Sequence, residues 1–140
     1  MNTNKSYVLI LYLSQDQEIE VGKLGKINFK RGYYCYVGSA KGKPIDVETR
    51  VKRYFELNLT KKGNLKWHID YLLINPYVKI VDVIKSNLEE CELAKKVESK
   101  CVDFVPNFGN SDCDCESHLF FHYVNPKRKI LEALNSKFKI

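Results

Sequence analysis

The chain has 140 residues, 44% of them hydrophobic, and 23 Lys and Arg residues against 17 Asp and Glu give a formal net charge of +6. This length and apolar content fit one domain over residues 1–140 and exclude an intrinsically disordered chain. No stretch approaches the roughly 20 apolar residues of a membrane-spanning helix, and no cleavage site follows the first apolar run. We therefore expect a cytoplasmic domain without a membrane partner, and its positive charge favours a polyanion such as nucleic acid.

The first half of the chain predicts short strands followed by a helix. An apolar run rich in β-branched and aromatic residues indicates a first strand over about Tyr7–Ser14. Glycines divide residues 18–38 into two or three further short strands, the last of which is "GYYCYVG". The helical spacing of apolar residues predicts a helix within residues 44–57. The stretch "WHIDYLL", residues 67–73, fits either a strand or a helix.

The second half predicts two more strands and two more helices. Residues 77–86 have the composition of a strand, and Ser86 with Glu89 forms a candidate capping box for a helix over about Leu88–Cys101. Residues 118–124 predict a final strand. The last helix has a predicted core face of Ile130, Leu131, Leu134 and Phe138. Because the spacing of these elements does not fit regular βαβ units, we predict a small α+β domain.

Four side chains carry groups that suit phosphodiester hydrolysis, namely Tyr7, Tyr36, Arg50 and Glu92. A carboxylate can hold Mg²⁺ with only one or two protein ligands, and the metal stabilises the leaving oxygen. A guanidinium binds phosphate in a planar fork and offsets transition-state charge. A tyrosine hydroxyl can orient or deprotonate the attacking water if cationic surroundings lower its pKa from about 10.

The same residues also have structural explanations. Arg50 can pair with Asp46 and Glu92 with Lys96, because each pair is spaced four residues apart on a predicted helix. His68 can be a hydrogen-bonded structural histidine beside the tryptophan that precedes it. These alternatives stay open at the level of the sequence.

The cysteines raise a second possibility, a zinc site. Cys113, Cys115 and His118 in "SDCDCESH", with His122 or Cys101 as a fourth ligand, supply the atoms of a tetrahedral site. The Cys-x-Cys spacing is tighter than in common zinc motifs, and an odd cysteine count without an export signal predicts reduced thiols. The sequence therefore favours reduced cysteines that pack a turn, with zinc as the alternative.

The four hydrolytic residues lie in motifs that resemble those of the GIY-YIG nuclease superfamily. "SYV" at 6–8 occupies the GIY position, "YVG" at 36–38 the YIG position, and Arg50 and Glu92 the positions of the helical arginine and glutamate. The chain resembles one branch more closely, known as domain of unknown function 123, which is sometimes fused to endonuclease III-type glycosylases. The blocks that carry this resemblance are "VGKLG", "GYYCYVGSA", "WHIDYLL", "ECELA" and "FGNSDCDCESHLF".

The resemblance implies a small, mostly antiparallel sheet flanked by helices. The gap from Tyr7 to Tyr36 is long for the superfamily, and we expect "GKLGKINFKRG" to form an extra hairpin within it. It implies a metal-dependent endonuclease that hydrolyses phosphodiester bonds in DNA, with RNA left open. Because a single small domain shows no obvious recognition module, we expect it to be directed by structure or damage in repair, or to take its specificity from a partner such as a repair glycosylase. Tyr7, Tyr36 and Arg50 would act on the water and the phosphate, and Glu92 would hold one Mg²⁺ or Mn²⁺. The substrate would contact Gly38, Ser39, Lys41, Arg53, His68 and Asp70.

The departures from the superfamily pattern support an alternative function. Ser6 stands where the GIY motif has glycine, and Tyr54 stands where many relatives have histidine. The alternative is a catalytically inactive nucleic-acid-binding accessory module of the same fold. Convergence of the four hydrolytic residues around one concave site favours the enzyme, whereas a Glu92 that points away favours the binding module.

Overall fold

The computed structural model of the chain describes residues 4–40, 46–109 and 115–135 and consists of a central sheet with helices on both faces. The elements in chain order are β1 (Ser6–Leu13), β2 (Gln17–Glu20), β3 (Lys26–Phe29), β4 (Gly32–Ser39), α1 (Val47–Thr60), α2 (His68–Leu73), β5 (Val78–Ser86), α3 (Glu90–Glu98), β6 (Asp103–Phe104), β7 (Leu119–His122) and α4 (Lys127–Leu134). No helix in these described ranges is long and apolar enough to cross a bilayer.

The main sheet has five strands in the order β5-β1-β4-β7-β6, and all neighbours are antiparallel. Strand β1, an interior strand between β5 and β4, is buried on both faces, which explains its almost continuous apolar sequence. Its odd-numbered residues, such as Leu9 and Leu11, enter a core with α1 and α2, and Val8 and Ile10 enter a second core with α3 and α4. The predicted α+β class with a mostly antiparallel sheet flanked by helices is confirmed.

The segment between β1 and β4 forms a separate two-stranded hairpin. β2 and β3 pair antiparallel from Gln17 opposite Phe29 to Glu20 opposite Lys26. Ile19 and Phe29 are buried and join the first core. The hairpin therefore packs against the side of the sheet that also carries α1 and α2.

Three local expectations are resolved or corrected by the structure. "WHIDYLL" is mostly helical, because α2 begins at His68. The next helix begins at Glu90, later than expected, and Ser86 ends β5 with its hydroxyl accepting a hydrogen bond from the Leu88 N–H instead of forming a capping box. Leu131 is 38% exposed and does not belong to the core face of α4. Phe138 lies outside the described residues.

The pairing of β1 with β4 requires a glycine at position 38. Tyr7 lies directly opposite Gly38 in the register, and its ring lies against the glycine backbone. A Cβ atom at position 38 would lie only 2.3 Å from the Tyr7 hydroxyl oxygen. Gly38 therefore leaves the space that the Tyr7 side chain occupies.

We expect Gly38→Ala to lower the free energy of unfolding by about 1–3 kcal/mol, as overpacking does in a buried site. Urea unfolding of the two proteins measures the difference. The matched control is Ser39→Ala at the next, half-buried position of β4, which should stay within about 0.5 kcal/mol of the parent. Equal stabilities of the Gly38→Ala protein and the parent would contradict the close Tyr7–Gly38 contact.

Candidate active site

The tyrosine hydroxyls, an arginine and a carboxylate meet in a cleft of about 300 Å³. The side chains that line it are Tyr7, Tyr36, Ser39, Arg50, Tyr54, Lys66, Trp67, His68 and Glu90, together with the backbone of Gly38 and Gly109. A larger cavity of about 600 Å³ lies beside the β2–β3 hairpin, but none of the four predicted catalytic residues lines it. Chemistry rather than size therefore locates the candidate site in the smaller cleft.

Three tyrosines form the floor of the cleft. Tyr7 is fully buried, Tyr36 is 7% exposed, and the Tyr7 and Tyr54 hydroxyl oxygens are 2.8 Å apart in a hydrogen bond. Burial raises the pKa of Tyr7 and Tyr36 well above the ordinary value, and the neighbouring tyrosines raise it further. Arg50 acts in the opposite direction but does not offset burial. The hydroxyls therefore stay protonated near neutral pH, so the condition for a tyrosine to deprotonate the water, a pKa lowered by cationic surroundings, is not met.

Arg50 forms one wall of the cleft. Its Nη1 donates a hydrogen bond of 3.0 Å to the Ser39 carbonyl, and its guanidinium lies 4.7 Å from the centre of the Trp67 ring. The expected pair with Asp46 is replaced by a helix cap, in which the Asp46 carboxylate accepts the Thr49 N–H. Because a guanidinium has five N–H donors, the bond to Ser39 leaves Arg50 able to bind a phosphate.

Arg53 and Asp70 form a structural pair next to the cleft. Arg53 donates two hydrogen bonds of 3.0 and 2.9 Å to the Asp70 carboxylate, which also accepts the Lys66 and Trp67 N–H groups. Asp70 is fully buried and does not line the cleft. The Asp70 carboxylate therefore fixes both the start of α2 and the guanidinium of Arg53. That guanidinium lies 5.0 Å from the centre of the Trp67 ring.

The carboxylate in the cleft belongs to Glu90 and not to Glu92. Glu90 is the first residue of α3, and its side chain is 18% exposed with Oε2 2.9 Å from His118 Nδ1. Two residues along a helix correspond to a rotation of about 200°, so Glu92 faces nearly the opposite direction. Glu92 is exposed and does not line the cleft.

His68 lies at the rim, where it holds a loop. Its Nδ1 accepts a hydrogen bond of 2.9 Å from the Gly109 N–H, and its ring packs edge-on against Phe108. Burial lowers the pKa of His68, which favours the neutral ring that this hydrogen bond requires. His68 and Asp70 do not share a face, because the segment is a helix. Lys41, also expected to bind substrate, lies outside the described residues.

The cysteines differ from the expectation of reduced thiols. Cys91 is disulfide-bonded, whereas Cys35, Cys101 and Cys115 carry thiols. Ligand atoms of Cys91, Cys115 and His118 lie within 4.8 Å of one another. The sequence pointed to Cys115 and His118 but not to Cys91, and Cys113 lies outside the described residues.

Five residues that line the cleft were not among the predicted site residues, namely Tyr54, Lys66, Trp67, Glu90 and Gly109. The aromatic ring of Trp67 lies near both Arg50 and Arg53, yet the sequence offered it only as a neighbour of His68. The run "EECE" contains three candidate acids, and only the start of the helix decides which one faces the cleft. Had the start of the helix been placed at Glu90, the sequence would have identified Glu90 as the glutamate that faces the cleft.

The fold and the cleft define a small α+β protein with a tyrosine-rich, arginine-lined candidate site. Residues 6–139 match the family model described as "Domain of unknown function DUF123", and the chain belongs to this family. No curated protein matches the chain, and no solved structure matches it.

We expect His68 to titrate below the ordinary imidazole pKa of about 6.5. The contribution of the neutral ring to the free energy of unfolding is then fully present above about pH 6.5. It is lost as the pH falls toward the lowered pKa of the folded state, because the unfolded chain takes up the proton first. An NMR titration of the imidazole protons measures this pKa. His68→Gln identifies the signal, and His122→Gln serves as the control that retains it. A His68 pKa at or above 6.5 would contradict the buried acceptor role.

Proposed function

We propose that the protein is a GIY-YIG-type, metal-dependent endonuclease that hydrolyses phosphodiester bonds in DNA. The observation that carries the proposal is the convergence of Tyr7, Tyr36, Arg50 and one carboxylate in a single cleft. In this proposal Glu90 takes the metal-binding role first expected of Glu92, because Glu90 is the glutamate that lines the cleft. The β2–β3 hairpin is then the extra element between the two motif strands.

The acidic groups of the site suit a metal that needs few protein ligands. The Asp70 carboxylate accepts hydrogen bonds from Arg53 and two backbone N–H groups, so within the described part of the chain Glu90 is the carboxylate left to face the cleft. Mg²⁺ commonly binds through one or two carboxylates, its own waters and substrate phosphates, and Mn²⁺ also accepts carboxylate and water ligands. When bound at Glu90, such an ion would stabilise the leaving oxygen of the scissile phosphate.

The remaining residues have roles that follow from their chemistry. Arg50 binds the non-bridging phosphate oxygens through its planar fork and offsets charge in the transition state. The protonated hydroxyls of Tyr36 and Tyr7 donate hydrogen bonds that orient the phosphate or the attacking water, since their raised pKa disfavours a tyrosinate base. Trp67, 37% exposed, offers a flat surface on which a base can stack.

Lysines on one side of the cleft support contact with a nucleic-acid backbone. Lys62 and Lys66 are exposed, and Lys66 lines the cleft. Lys61 does not belong to this set, because its ammonium donates to the carbonyls of Leu73, Asn75 and Val78. Backbone contacts give affinity without sequence readout, which suits a nuclease directed by DNA structure or damage. Under this proposal a repair glycosylase is a partner that supplies specificity, and RNA is a second possible substrate.

We expect Glu90→Gln to reduce cleavage of nicked, branched or supercoiled DNA in Mg²⁺ or Mn²⁺ by at least 100-fold while DNA binding persists, since the change removes one charge and keeps the shape of the side chain. Gel assays of cleavage and binding measure the two effects. The matched control is Glu92→Gln, the same chemical change on the exposed face of the same helix, which should cleave as the parent does. Equal loss in both variants, or cleavage that survives Glu90→Gln, would contradict the assignment.

The second candidate function is a catalytically inactive nucleic-acid-binding module. Glu92 is exposed and points away from the cleft, which is the outcome that favours this module, and two contacts favour it as well. The Tyr7 hydroxyl is already bonded to Tyr54, and Glu90 is already close to His118. Binding of DNA by the parent without cleavage under any of these metal conditions would select this function. A protein that neither binds nor cleaves DNA would refute both candidates.

Binding itself can be followed with the single tryptophan of the chain, since Trp67 lines the cleft. We expect short DNA duplexes to change its fluorescence and Arg50→Ala to weaken binding about tenfold or more, because a charge-assisted phosphate contact is lost. The control is Lys52→Ala on α1, whose side chain is exposed and lines a different cavity. Equal affinities of the Arg50→Ala and Lys52→Ala proteins would show that the cleft does not bind the phosphate backbone.

A further inference from the structure

A cluster of sulfur and imidazole groups lies directly behind Glu90. Cys91 follows Glu90 in the first turn of α3, and Cys115 and His118 come from the segment that leads into β7. One ligand atom from each of these three residues lies within 4.8 Å of the other two. Thiolate and imidazole ligands are the set that zinc prefers.

His118 carries the second, independent observation. It is 1% exposed, and within the described part of the chain neither ring nitrogen has a hydrogen-bond partner. Nδ1 lies 2.9 Å from Glu90 Oε2, which is within the range of an ion pair, but the contact does not have the geometry of a hydrogen bond. Buried polar atoms without partners are rare, and a metal ion satisfies an imidazole nitrogen directly.

The two residues that the sequence offered as further ligands lie elsewhere. Cys101 is hydrogen-bonded to Cys35, and this bond and burial raise the pKa of the Cys35 thiol. His122 Nδ1 accepts the Val124 N–H at the far end of β7. The cluster therefore differs in composition from the zinc site that the sequence suggested, since it recruits Cys91 from α3.

We propose that Cys91, Cys115 and His118 bind one Zn²⁺ ion when the Cys91 disulfide is reduced. Zinc is four-coordinate in most protein sites, so these three ligands leave one position for a further ligand such as water. One nitrogen of His118 binds the metal. On metal binding the ring turns so that the other nitrogen donates its N–H to Glu90, whose Oε2 already lies 2.9 Å from Nδ1, and this gives the carboxylate–histidine arrangement that orients many metal ligands. The site ties the start of α3 to the segment before β7 and so fixes Glu90.

The chemistry balances with an external dithiol as the reductant. Thiol–disulfide exchange transfers two electrons and two protons from the dithiol to the disulfide, which yields the Cys91 thiol, the thiol of its former partner and an oxidised reductant. Binding of Zn²⁺ then releases the protons of Cys91 and Cys115 to solvent, because thiolates are the ligands. The site therefore loads under reducing conditions and releases its metal when Cys91 is oxidised. None of these steps depends on nuclease activity.

Metal binding can be measured on the full chain without any assay of activity. The protein is reduced with a dithiol, freed of metal with a chelator, exchanged into a non-chelating phosphine reductant and titrated with Co²⁺ and then Zn²⁺. We expect one ion per chain, with the absorption of tetrahedral Co²⁺ bound to thiolates, displaced by Zn²⁺. Removal of the phosphine and oxidation of the protein should release the ion. No binding by the reduced parent, or a Co²⁺ spectrum without sulfur ligation, would overturn the proposal.

Substitutions of the proposed ligands test which side chains bind the Zn²⁺ ion. Cys91→Ser, Cys115→Ser and His118→Gln should each weaken Zn²⁺ binding by at least tenfold, and Glu90→Gln should weaken it by about 10- to 100-fold through His118. The matched control is Cys101→Ser, a half-buried thiol outside the cluster, which should bind as the parent does. If a ligand variant does not fold, X-ray absorption of the Zn²⁺-loaded parent decides the case, because sulfur and nitrogen neighbours support the proposal and an all-oxygen shell refutes it.

Discussion

The antiparallel register of β1 against β4 is the constraint on which the rest of the site depends. It places Tyr7 opposite Gly38, where only a glycine leaves room for the ring, and directs the hydroxyl toward Tyr54 on α1. The side-chain period of a strand is two residues, so a slip of one residue would turn Tyr7 and Tyr36 to the other face. The buried apolar residues on both faces of β1 fix the register and thereby the floor of the cleft.

The wall of the cleft formed by Arg50 and Trp67 depends on the buried carboxylate of Asp70, which does not itself line the cleft. Asp70 holds the start of α2 and the guanidinium of Arg53, and together they position Trp67 beside Arg50. A buried carboxylate is tolerated only when charged and polar donors surround it, and four hydrogen bonds do so here. The same arrangement removes Asp70 as a ligand, so that among the described residues Glu90 supplies the single carboxylate of the cleft.

Glu90 connects the two proposals, because its carboxylate faces the tyrosines on one side and His118 on the other. A metal at the Cys91, Cys115 and His118 cluster would hold His118 in place and, through it, the position of Glu90. The proposed nuclease chemistry and the proposed zinc site are still separate physical claims. The first concerns a hard ion beside a phosphate, and the second a site with softer sulfur and nitrogen ligands between the start of α3 and the segment before β7.

The sequence by itself determined the α+β class and most of the strands, because apolar patterning is a local property. Tyr7, Tyr36 and Arg50 were named through the family resemblance, and the folded structure brings them to one cleft. Tertiary structure decided that Glu90 and not Glu92 faces the cleft, since this depends on where α3 begins. It also decided that Asp70 is a buried cap and that Cys91 joins His118. The cap at Asp70 is local, but its bonds to Arg53 and the approach of Cys91 to His118 join residues far apart in the chain, and only the packing of helices and strands brings them together.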